Sequence, residues 1–139
     1  MSSSQSPNHV YSIVIKEHHL DTFGHVNNAT YLQIFEEARW EWITGNGYGL
    51  DVVKSTGLGP VILELKAIFR KELTLRSRIT INTFVTEARS KLCRVRQEMQ
   101  GSDGVIYCDA EFLFGLFDTK ARKLVAPTDK WLKAIGQNA

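Results

Sequence analysis

The sequence predicts an α+β domain in which an antiparallel sheet wraps one long helix. Three observations carry this. Residues 28–44 contain no Gly or Pro and repeat apolar side chains at helical spacing. After Pro60 come four runs in which apolar and polar residues alternate. Short turn-forming stretches join those runs, which suits antiparallel neighbours and leaves no room for crossover helices.

Residues 1–9 (MSSSQSPNH) are polar and lack an apolar h-region, so they read as a flexible leader and not as a signal peptide. One domain is expected over residues 10–136, since no linker or repeat divides the chain. Tyr11, Ile13 and Ile15 alternate with Ser12 and Lys16, the pattern of a half-buried strand. A polar loop follows to Asn27. Asparagines at 27 and 28 suit a helix start, because their side-chain oxygens can accept the unpaired N–H groups of the first turn. Tyr31, Phe35, Ala38 and Trp42 fall on one face of that helix, Leu32, Ile34 and Ile43 widen it, and Gly45-Asn46-Gly47 ends it. Residues 48–57 allow one or two helical turns.

The strand after Pro60 places Val61, Leu63, Leu65, Ala67 and Phe69 on one face. The next, residues 75–87, aligns Ile79, Ile81, Thr83 and Val85. After a turn at 88–91, residues 92–100 set Cys93, Val95 and Met99 inward and Arg94, Arg96 and Glu98 towards solvent. Gly101-Ser102-Asp103-Gly104 is a turn. Residues 105–117 then align Ile106, Cys108, Ala110, Phe112, Phe114 and Leu116. Thr128 caps a short closing helix through Trp131, Leu132 and Ile135.

Composition narrows the function. The 139 residues are 43% hydrophobic and 23% charged, an ordinary globular balance. A net charge of +2 without a basic run gives no reason to expect nucleic acid, though a local patch could still meet a phosphorylated small molecule. No run of about 18 apolar residues exists to span a membrane. Cys93 and Cys108 have no metal-ligand spacing and read as buried thiols of a reducing, cytoplasmic compartment.

The chemistry centres on Asp21, which lies too far ahead of the helix to be its N-cap. Two readings stay open. The acid can simply answer the positive end of the helix dipole. Alternatively, the first helix N–H groups are left for a substrate oxygen, and Asp21 acts as base or nucleophile on a carbonyl. Gly24 would let the intervening chain turn back.

The stretch His19-Leu20-Asp21-Thr22-Phe23-Gly24-His25-Val26-Asn27-Asn28-Ala29-Thr30-Tyr31, continuing to Phe35-Glu36-Glu37-Ala38-Arg39-Trp40, resembles the signature of hot-dog-fold acyl-CoA thioesterases. The resemblance is to the 4-hydroxybenzoyl-CoA thioesterase type, long-chain acyl-CoA branch. It implies a hot-dog fold: a five-stranded antiparallel sheet around the long helix, with a short C-terminal helix. It further implies a homodimer, with tetramer open, and active sites at the subunit interface. Asp21 matches the family's catalytic aspartate, and the Asn28 backbone N–H its oxyanion donor. His25, Asn27 and Tyr31 match motif positions that shape the pocket. No metal or other cofactor is implied beyond the coenzyme A of the substrate.

For His25 a structural imidazole and a proton carrier both remain open. Tyr31 reads as packing with a polar handle. Glu36 can pair with Arg39 at helical spacing, and Glu36 and Glu37 read as surface or inter-subunit contacts. Coenzyme A needs cations around its phosphates, and Arg70-Lys71 and Arg89-Ser90-Lys91 are the candidates. One departure is Leu75-Arg76-Ser77, where many relatives carry Gly-Asp. The expected activity is hydrolysis of a fatty or aromatic acyl-CoA to the free acid and coenzyme A. The rivals are the same chemistry on an acyl carrier protein and a non-catalytic acyl-CoA binder.

Overall fold

The computed structural model describes residues 5–137. Strand β1 (His9–Val14) leads through a 3-10 turn (Glu17–His19) and a polar loop into helix α1 (Asn28–Gly45). Helix α2 (Leu50–Thr56) follows, then strands β2 (Leu58–Phe69), β3 (Arg78–Arg89), β4 (Leu92–Gly101), β5 (Ile106–Asp118) and β6 (Lys123–Val125), and helix α3 (Asp129–Ala134). The strands form one antiparallel sheet in the order β1-β3-β4-β5-β2, with β6 paired to the end of β5. This is the sheet-wrapped helix expected from the sequence, with β6 as a sixth strand. Ahead of β1, Asn8 accepts the Val85 N–H and donates its own to Thr83, so the chain before β1 also follows β3.

Helix α1 forms where predicted. Asn27 has extended backbone, and its side chain accepts the Thr30 N–H. Tyr31, Ile34, Phe35, Ala38, Trp42 and Ile43 are buried against the sheet. Across from them stand the inward residues of β4 and β5: Cys93, Val95, Met99, Cys108, Ala110, Phe112, Phe114 and Leu116. Phe35 meets Phe112 edge-on at 5.8 Å. Such aromatic pairs add to the area term of burial, itself about 1.5–3 kcal/mol per large side chain. At the far end, Trp131 of α3 packs edge-on against Tyr48 and Phe114. Its helix is capped as expected, by the Thr128 hydroxyl.

Strand β2 departs from its expected phase. The register runs Ile62↔Phe114 and then Glu64↔Leu113, leaving Leu63 as an extra residue in a bulge. Partners opposite one another share a face. The inward set is therefore Pro60 and Ile62 before the bulge, and Leu65, Ala67 and Phe69 after it, not Val61 and Leu63. Little covers this strand. Ile62, Leu63, Leu65, Ile68 and Phe69 remain 36–47% exposed. Helix α2 does approach it, and Gly59 permits that: a Cβ there would lie 2.9 Å from Val53 Cγ1.

Two further boundaries moved. The third strand begins at Arg78 rather than residue 75, because Thr74–Ser77 forms a turn with Arg76 at φ 65°. Residues 48–57 resolve into α2, stopped by Gly57 in the left-handed region. The outer face of β4 is only partly solvated, since the Arg96 guanidinium lies 4.3 Å from the Phe84 ring centroid.

Candidate active site

The loop carrying Asp21 is closed on itself. The Asp21 N–H donates to the His25 carbonyl at 2.8 Å, and the Gly24 N–H to the Asp21 carbonyl at 3.0 Å. Asp21 Oδ1 accepts the Phe23 and His25 N–H groups at 2.9 and 3.0 Å. Gly24, at φ 79°, makes this tight return possible. Those two N–H groups, His25 first, hold the Asp21 carboxyl below its usual range. Asp21 is thus an exposed, ionised acid with one oxygen fixed by the loop and Oδ2 without a partner among the described residues.

Beyond the loop, Val26 is buried and anchors the chain where it enters α1. Asn27 is spent on capping: its Oδ1 takes both the N–H and the hydroxyl of Thr30. Asn28 and Ala29, the first helical residues, have backbone N–H groups with no acceptor among the described residues. The helix thus presents two open donors at its positive end.

Tyr31 sits one turn in, 4% exposed, with its hydroxyl accepting the Leu73 N–H at 3.0 Å and its ring edge-on to Phe69. Burial raises its pKa. His25 Nε2 lies 3.7 Å from Glu72 Oε1, both side chains well exposed. The structure therefore gathers the Asp21 loop, the helix start and the segment 70–73 at one end of the sheet.

The basic candidates are split between the two ends: Arg70 and Lys71 lie at this one, and Arg89, Ser90 and Lys91 at the other. Arg70 and Lys71 follow β2, where Phe69 pairs with Cys108. Arg70 is bonded to Asp109, while Lys71 lies 3.9 Å from Asp103 and 5.0 Å over the Tyr107 ring. Arg89, Ser90 and Lys91 form the β3–β4 turn, whose neighbour Leu92 pairs with Gly115. Seven residues of β5 separate the two positions, about 23 Å of strand. Arg89 pairs with Glu87, and Ser90 holds φ 53° at the turn.

One cluster escaped the sequence reading. Arg39 does not pair with Glu36; no carboxylate stands within 4.0 Å of it among the described residues. Its Nη1 donates to Gln97 Oε1 at 2.9 Å, and its guanidinium lies 4.2 Å from the Phe112 ring centroid. Gln97 is fully buried and donates to the Phe35 carbonyl and Thr83 hydroxyl. Arg39 also lines an apolar cavity with Glu36, Trp40, Ile43, Pro60, Ile62 and Phe114. The available signal was Gln97 itself, a polar residue on the inward phase of Cys93, Val95 and Met99.

Glu37, exposed on the opposite flank of α1, accepts the Tyr11 hydroxyl and ties the helix to β1. Among the described residues no three His, Cys, Asp or Glu side chains are grouped to hold a metal ion. No helix is long and apolar enough to cross a membrane.

The sheet is thus wrapped on a helix whose open N-terminus follows an ionised acid, and comparison with known proteins supplies the family. The thioesterase-like superfamily matches residues 12–135. The chain belongs to the thioesterase-like superfamily. It is a thioester hydrolase of the hot-dog fold. It is 28% identical over 115 residues to the long-chain acyl-CoA thioesterase FadM of Escherichia coli K12, covering 82% of this chain and 86% of that one. Among solved structures it is similar to SAV2348 of Staphylococcus aureus in complex with CoA, at TM-score 0.85 and 16% identity, over 96% of this chain and 85% of that one. The 1,4-dihydroxy-2-naphthoyl-CoA thioesterase Slr0204 of Synechocystis superposes at TM-score 0.82 and 19% identity, over 91% and 94%. These two likenesses establish the fold.

Proposed function

We propose that the protein hydrolyses acyl-CoA thioesters, with Asp21 and the first turn of α1 as the reacting site. The observation that carries this is the pairing of an ionised carboxylate, one oxygen unbonded, with the unbonded N–H groups of Asn28 and Ala29. Asp21 attacks the thioester carbonyl or takes a proton from the attacking water. The carbonyl oxygen gains the electron pair and is met by the Asn28 N–H. Collapse expels the coenzyme A thiolate, a stable anion that needs little protonic help. After direct attack, water then hydrolyses the acyl–Asp21 anhydride to the free acid; after attack by water, the proton held by Asp21 passes to the thiolate or to solvent. His25 orients the loop beside the acid, Asn27 fixes the helix start, and Tyr31 shapes the apolar side. This reading calls for no metal or redox cofactor.

Two copies complete the site by pairing β2 with β2 across a two-fold axis. The exposed apolar residues on that edge strand support this, because an uncovered apolar edge recruits another chain. Such pairing would carry Arg70-Lys71 of one protomer towards the Arg89–Lys91 end of the other, so both groups could meet one coenzyme A. Free, buried Cys93 and Cys108, whose thiol pKa values burial raises to about 12, suit a cytoplasmic protein.

Replacing Asp21 by Asn tests the mechanism, because the amide oxygen can still accept the Phe23 and His25 N–H groups and keep the loop. We expect kcat/KM on acyl-CoA esters to fall on the order of a hundredfold or more. Hydrolysis within a few-fold of the parent, with the fold intact, would assign the chemistry elsewhere. Matched acyl-CoA and acyl-carrier-protein esters separate the two carriers in the same assay.

A further inference from the structure

Arg39 is a mostly buried cation with one side-chain partner. Most buried charges are paired with an opposite charge, since desolvation is otherwise costly. Here, among the described residues, the guanidinium touches the Gln97 oxygen and the face of Phe112, and the Glu36 carboxylate acts on it only from beyond ion-pair distance. Gln97 cannot turn away, because its amide nitrogen is committed to the Phe35 carbonyl and the Thr83 hydroxyl. The network therefore holds a cation in place without neutralising it. Of five N–H donors on a guanidinium, Nη1 alone has a described acceptor.

The position of those donors gives them a use. Arg39 and Glu36 are the polar members of a cavity whose other walls include Trp40, Ile43, Pro60, Ile62 and Phe114. That cavity opens on the flank between α1 and the inward face of β2. Along this flank Leu32 is half-buried and Leu65 and Phe69 are exposed, so an apolar path leads back to the helix start. Eleven residues separate Asn28 from Arg39, about 16 Å along the axis, within reach of a medium-length acyl chain.

We propose that Arg39 is a specificity-determining residue that selects acyl chains bearing an oxygen acceptor, a hydroxyl or carboxylate, at the end remote from the thioester. This rests on the acyl-CoA reading above. A chain lying along the α1–β2 flank would place its terminal oxygen against the unspent guanidinium donors. A plain hydrocarbon terminus would instead leave them desolvated and unmatched, which raises its cost of binding.

The test compares dodecanoyl-CoA with ω-hydroxydodecanoyl-CoA and the mono-CoA thioester of dodecanedioic acid. For the parent protein we expect kcat/KM to favour the oxygenated esters about tenfold or more. In Arg39→Met, which keeps an unbranched stem over Phe112, that ratio should collapse towards unity; Arg39→Lys should restore part of it. Equal kcat/KM for all three esters in the parent protein would overturn the proposal while leaving the thioesterase reading intact. A uniform loss in Arg39→Met with the ratio preserved would also overturn it, because Arg39 would then only tie α1 to β4. Hydrolysis of none of the three esters would overturn the proposal, and an aryl-CoA ester in the same assay then decides the thioesterase reading separately. If both variants fail to fold, the ratio in the parent protein still decides.

Discussion

The Tyr31 hydroxyl accepts the Leu73 backbone N–H at 3.0 Å, joining the first turn of α1 to the segment between β2 and β3. Both residues are nearly inaccessible, so no solvent stands ready to replace the acceptor. Tyr31 thereby sets where segment 70–73 lies relative to the open helix donors.

Tyr31→Phe should keep the ring contact with Phe69 and leave the Leu73 N–H without a partner. A buried donor in that condition costs about 1–3 kcal/mol. We expect a melting temperature lower by several degrees and a reduced kcat/KM, as the segment beside the Asp21 loop loosens. An unchanged melting temperature would show that the bond contributes nothing net.

On the proposed mechanism Asp21 sets the acid side of the pH profile. Its folded pKa is depressed by the His25 and Phe23 N–H groups, so the ionised form persists below the ordinary value of 3.8. The loop stability contributed by ionisation is present above the unfolded pKa and lost as pH falls through the folded one. The acid limb of kcat/KM should therefore lie below 3.8, as far as the fold survives. An acid limb in the histidine range would make His25 the titrating group.

The proposed association through β2 is open to direct measurement. Ile68 lies on the outward face of β2, opposite Asp109, 39% exposed and away from the α1 flank. Ile68→Lys should shift the protein towards single chains in size-exclusion chromatography with light scattering and lower its hydrolysis in parallel. Removing an apolar side chain from each half of a two-fold interface weakens it on the order of a hundredfold or more. A variant that elutes and turns over like the parent would place the interface elsewhere.

Much of this architecture was legible in the chain itself. Helix α1 was readable because its caps, its uninterrupted length and the spacing of Tyr31, Phe35, Ala38 and Trp42 agree. The Asp21 loop was readable because Gly24 marks the only way for the chain to return on itself there. Strand β2 misled, since the alternation about Glu64 and Lys66 invites extension back through Val61-Ile62-Leu63, an all-apolar run that hides the residue its partner strand does not match. Strand β6 was missed because Lys123–Val125 is too short to show a period. Arg39 was misplaced for a different reason: helical spacing offered it Glu36, but its side chain turned inward to an amide on β4, a choice only tertiary packing makes.

The bulge at Leu63 gives β2 a phase reversal that deletion could erase. Shortening the strand by that residue would make Ile62↔Phe114 and Glu64↔Leu113 consecutive rungs, so Pro60 and Ile62 would stay inward while the bend and extra twist of the bulge were lost. The Arg39 chamber would keep both residues as walls but would meet them on a straighter edge strand. The bend of an edge strand would then tune the width of the chamber, so length variants at this spot are natural raw material for diversifying the acyl groups such a scaffold accepts.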